Sequence, residues 1–114
     1  MNQFEFFTMI FYTLDLYYDE KPSEELGRFL SGMCPYTFAD IGSADPSIYK
    51  DFEKHVANKE KIAIEDGYDL AVEYLKTIDW VDVVTPFLAV TKEEWIEGCE
   101  RYLSEPHKGE GKTE

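Results

Sequence analysis

The chain has 114 residues, which suits one domain with a core of its own, and its 44% apolar and 16% aromatic content excludes a disordered body. A net charge of −13, from 24 Asp and Glu against 11 Lys and Arg, repels nucleic acid and anionic membrane surfaces. Two cysteines, Cys34 and Cys99, are too few for a disulfide scaffold, and no apolar run approaches the ~20 residues of a membrane span.

The first segment, Phe4 to Tyr18, holds many strand formers, but its periodicity is helical. Phe4, Phe7, Phe11, Leu14 and Tyr18 recur three and four apart. Phe6, Ile10 and Tyr17 add a second stripe, so this helix is apolar over much of its circumference and is expected to be central or to cover a partner. The opening residues lack the basic region and cleavage site of a signal peptide, so a cytoplasmic location is expected. Lys21-Pro22-Ser23 ends the helix. Ser23 then caps a second, with Glu24 and Glu25 in its first turn and Leu26, Phe29, Leu30 and Met33 on its buried face.

Cys34-Pro35 stops the second helix, and a loop follows whose Tyr36, Phe38 and Ile41 are expected to pack on the body. Asp45 with Pro46 opens a third helix carrying Ile48, Tyr49, Phe52 and Val56. Ile62 to Ile78 reads as a fourth, starting near Glu65, with Gly67 weakening it by about 1 kcal/mol relative to alanine. Trp80 to Val90 is readable either as a short helix from near Asp79 or as a buried connector. Thr91-Lys92-Glu93-Glu94 is a capping box that opens the last helix, with Trp95, Ile96, Cys99, Tyr102 and Leu103 on one side. The resulting expectation is an all-α, compact bundle of about five helices. Residues 1–104 form its single domain, and a disordered tail covers residues 105–114, which hold no apolar anchor.

Catalytic and ligand motifs are not found. Cys34 sits at a helix C-terminus, where the dipole disfavours a thiolate, and Cys99 lies on an apolar face. His55 and His107 have no partner at metal-ligand spacing, no calcium loop is present, and Gly42 and Gly67 are isolated, so neither metal nor cofactor is expected. Paired acids such as Glu24/Glu25 and Glu65/Asp66 sit at helix starts, where they have a structural role.

Two features point to an interaction surface. Tyr17-Tyr18-Asp19-Glu20 places adjacent tyrosines beside two acids at a helix end, and tyrosine is enriched at interface hot spots, although packing alone accounts for one core and one rim tyrosine. Asp66, Asp69 and Glu73 fall three and four apart in a run from Glu60 to Asp82 that holds seven acids and two lysines. Like charges at that spacing cost a helix roughly 0.2–0.5 kcal/mol per pair, which invites a functional reason, although solvation alone also accounts for the stripe. In small size, helical build, acidity and tyrosine pair the chain resembles nuclease immunity proteins in general character, with no motif that aligns residue by residue.

The first expectation is therefore a noncatalytic module whose acids mask a basic surface on a protein partner, concretely an immunity protein or inhibitor of a toxin or nucleic-acid-acting enzyme. Tyr17, Tyr18, Asp19, Glu20, Asp66, Asp69 and Glu73 are its contact residues, with neither nucleic acid nor membrane as partner. A homodimeric adaptor joined through the apolar first helix comes second. A carboxylate- or tyrosine-using enzyme comes third, and it requires acids converging in a deep pocket.

Overall fold

In the computed structural model, residues 1–57 and 59–110 are described, and they build six helices: α1 (Gln3–Glu20), α2 (Glu24–Met33), α3 (Pro46–His55), α4 (Ile64–Leu75), α5 (Val84–Leu88) and α6 (Lys92–Ser104). The all-α bundle expected from periodicity is what forms. Local chemistry accounts for most boundaries. Ser23 Oγ accepts from Leu26 N, Asp45 Oδ1 accepts from Ser47 N with Pro46 at the first helical position, and Thr91 and Glu94 close the capping box at α6.

The stretch of residues 80–90 resolves into the short helix α5. Asp82 Oδ1 accepts from Val84 N and Thr85 N, both at 3.1 Å, and Pro86 falls in the first turn, where its missing N–H removes no intrahelical bond.

The central helix is α1. Phe4 through Ile10 are all buried, and α2, α3 and α5 pack around them. Its apolar circumference is thus covered within the chain, apart from Leu16, which is 63% exposed. The core is largely aromatic and edge-to-face: Phe52 of α3 lies 5.6 Å from Phe6, 5.0 Å from Phe7 and 5.1 Å from Tyr74. Trp95 of α6 closes the other side, its ring centroid 6.2 Å from those of Phe6, Tyr68 and Phe87.

Gly67 explains its own presence. A Cβ there would stand 2.5 Å from Trp95 Cη2, so the missing side chain lets α4 close on α6. Gly67→Ala gains about 1 kcal/mol of helix propensity but overpacks Trp95 at a cost of about 1–3 kcal/mol. A lower melting temperature is expected; an unchanged or higher one would show that the indole moves aside freely.

Two expectations are corrected. Tyr36, Phe38 and Ile41 pack only in part: they are 43%, 57% and 37% exposed, and Tyr36 touches α1 through its hydroxyl on that of Tyr12. Most of what holds the loop acts on its backbone: Ala44 N on the Cys34 carbonyl, Asp45 N on the Gly32 carbonyl, and Lys108 Nζ on the Pro35 and Phe38 carbonyls. The expected disorder of residues 105–114 does not extend to residues 105–110, which fold back onto α1; residues 111–114 lie outside the described residues. Polar anchors, which an apolar-periodicity argument does not register, hold them. Among the described residues no helix is long and apolar enough to cross a membrane.

Candidate functional site

The seven residues singled out in the sequence fall into two groups that do not touch. At the end of α1, Tyr17 and Tyr18 are half-buried while Asp19 and Glu20 are exposed. Tyr18 is a packing residue: its hydroxyl lies where a Cβ on Gly27 of α2 would be only 2.8 Å away. The Lys21 ammonium stands 5.8 Å over the Tyr17 ring.

Asp66, Asp69 and Glu73 are all exposed on α4, where with Lys59, Lys61 and Leu70 they line a depression of about 330 Å³. The start of α4 neighbours the other end of α1: Met1 N bonds the Ile62 carbonyl, and Met1 Cε lies beside Gly67. At 1.5 Å per residue, Tyr17 is about 22 Å along α1 from that end.

What α4 does meet is α6. Tyr68 donates to the Val90 carbonyl at 2.6 Å, just before the α6 cap. Its phenol is pushed up first by burial and then by the charges of Asp69, Glu93 and Glu94, so acids of both helices gather at one seam. Lys92 reaches Asp69 at 3.4 Å across it, an exposed pair that contributes little to stability.

A second polar cluster was not legible in the sequence. Asn2 caps α1 in a capping box: its Oδ1 accepts from Glu5 N, and Glu5 Oε1 accepts from Asn2 N, both at 2.7 Å. The other oxygen of Glu5 meets His107 Nε2 at 2.5 Å, and Asn2 Nδ2 donates to the Gly109 carbonyl at 3.0 Å. The His107 ring lies on Tyr102, centroids 4.5 Å apart, and Tyr102 sits edge-on to Tyr12, whose hydroxyl bonds that of Tyr36 at 2.5 Å.

Burial is the leading cause that raises the pKa of Tyr12, Tyr36 and Tyr102, so the three phenols are neutral hydrogen-bonding groups at physiological pH. His107 Nδ1 contacts the Glu105 carbonyl at 2.7 Å, so both ring nitrogens are engaged within the chain and neither is available as base or ligand. The N-x-x-E pattern at Asn2 and Glu5 was the one local signal of this cluster; the His107 contact spans 102 positions and leaves none.

Burial pushes the Cys99 thiol up to about 12, which makes it a poor nucleophile, and Cys34 is the C-cap of α2. Among the described residues no three His, Cys, Asp or Glu side chains converge as a metal-ligand set. A cavity of about 810 Å³ between the start of α1 and α3 is lined by Phe4, Ile41 and Tyr49 with Asn2, Gln3, Glu60 and Lys61, and so holds a single acid. No family model, curated protein or solved structure matches the chain.

Proposed function

We propose that this protein is a noncatalytic, acidic protein-binding module that covers a basic surface of its partner, in the most concrete form an inhibitor or immunity protein for a toxin or nucleic-acid-acting enzyme. The observation that carries the reading is the seam between α4 and α6, where Lys92 reaches across to Asp69 at 3.4 Å and exposed Asp69, Glu93 and Glu94 surround Tyr68 closely enough to disfavour its ionisation. Asp66 and Glu73 extend it along α4, and Lys92 is the one cation that bridges it among the described residues. Such a surface steers a basic partner and takes the place of phosphates on it.

The tyrosines at the end of α1 have a smaller part in this reading than their pairing with two acids suggests, since Tyr18 is committed to packing on α2. A homodimer through α1 would need the apolar surface that α2, α3 and α5 already cover. An enzyme would need acids converging in a deep pocket; the cavity at Phe4 and Tyr49 holds only Glu60, and Asp66, Asp69 and Glu73 stand exposed around their depression.

The test is capture of partners from source-cell lysate by the wild-type chain and by the Asp66→Lys/Asp69→Lys/Glu73→Lys variant, eluted with rising salt. A basic protein held stoichiometrically by the wild type, released by salt and lost by at least tenfold in the variant is expected. Equal capture by the variant, or a complex indifferent to salt, would overturn the charge-masking role.

A further inference from the structure

The described end of the chain is tied down by groups that reach it from three directions. His107 contacts Glu5 of α1 through Nε2 and the Glu105 carbonyl, just past the end of α6, through Nδ1. Lys108 donates to the Pro35 and Phe38 carbonyls at 2.5 and 2.6 Å, with its ammonium 5.3 Å over the Phe4 ring. The Gly109 carbonyl accepts from Asn2. Gly109 has φ +85°, and a Cβ there would stand 2.5 Å from Phe4 Cδ2, so the backbone lies directly on that ring.

The His107 geometry fixes a proton count. A carbonyl only accepts, so Nδ1 must carry a hydrogen; the Nε2–Oε2 bond needs a second one. The arrangement therefore holds one proton more than a neutral imidazole facing a carboxylate. If that proton leaves, a nitrogen lone pair faces a carboxylate oxygen in a place where the two side chains are 4% and 11% exposed.

We propose that residues 107–109 form a proton-gated latch, which holds the C-terminal segment and the loop of residues 35–38 against α1 while His107 is an imidazolium and releases them when it is neutral. The titratable and charged groups that face the ring are Glu5 from α1, Tyr102 from α6, and Glu110 and Lys108 from the segment itself. Burial of the ring lowers its pKa, but the Glu105 carbonyl, the Glu5 carboxylate and the Glu110 charge outweigh it and leave His107 above an ordinary histidine. Tyr102 is neutral throughout the range in question, because burial raises its phenol, so His107 is the group whose contacts depend on the proton. Release would bare Phe4 and Asn2, which already line the cavity at the start of α1, and so open that cavity on one side.

The test is amide hydrogen exchange of the full chain from pH 6 to 9, with each rate corrected for its intrinsic pH dependence, alongside an NMR titration of the His107 ring. Protection at the Glu110 amide, which donates to the His107 carbonyl at 3.3 Å, is expected to fall at least tenfold, following the His107 titration. In His107→Gln, which cannot be an imidazolium, protection there should be low and flat with pH, while circular dichroism shows the helices retained. Wild-type protection that stays constant while His107 titrates would overturn the latch, as would a ring that titrates below the ordinary histidine value. The wild-type titration decides the matter even if the variant folds poorly.

Discussion

Phe52→Ala is expected to lower stability by about 3–5 kcal/mol, a large share of the 5–15 kcal/mol typical of a domain. Phe52 is fully buried and lies where α1, α3 and α4 meet, within 5.0–5.6 Å of Phe6, Phe7 and Tyr74. Its removal takes away both the buried area and the edge contacts of several rings. The surrounding side chains are large and rigid, so they close the cavity poorly. In urea unfolding the midpoint should fall with the slope unchanged. Phe38→Ala is the control: the same deletion at a ring 57% exposed should change stability by less than about 0.5 kcal/mol. Similar losses for the two would mean that Phe52 is not the junction the packing indicates.

The parts of the fold legible in the sequence were those set by local chemistry. The pairs Asp45-Pro46 and Thr91-x-x-Glu94 place helix starts because a cap acts over three or four residues. The apolar circumference of α1 marked it as central or partner-covering, and the packing of α2, α3 and α5 on it makes it the central helix. The reason for Gly67 was hidden, since the indole it accommodates is 28 positions away. The loop of residues 35–44 is less buried than its apolar content predicts, because Lys108 satisfies its Pro35 and Phe38 carbonyls and Tyr36 reaches Tyr12 through its hydroxyl while Phe38 stays exposed. Of the candidate site, the α4 stripe was readable from helical spacing, but its meeting with Glu93 and Glu94 of α6 depends on helix packing, which spacing does not encode.

Glu5→Ala is expected to cost about 3 kcal/mol at pH 6, because breaking a buried ion pair strands the charge left behind. Glu5 has two tasks: Oε1 completes the cap at Asn2, and Oε2 takes the His107 hydrogen. Removing the carboxylate leaves the Asn2 N–H and the Nε2–H of the imidazolium without acceptors in a site that is nearly closed to solvent. The two tasks separate with pH. Because the folded His107 is raised above its ordinary value, its pair contributes in full below about pH 6.5 and is lost as pH climbs through the raised value. By pH 9 the wild type has lost the ionic part itself. The difference between wild type and variant should then shrink to that of a helix cap, about 1 kcal/mol. Unfolding of both proteins in urea at pH 6 and at pH 9 measures it. A difference equal at the two pH values would assign all of the effect of Glu5 to the cap and none to His107.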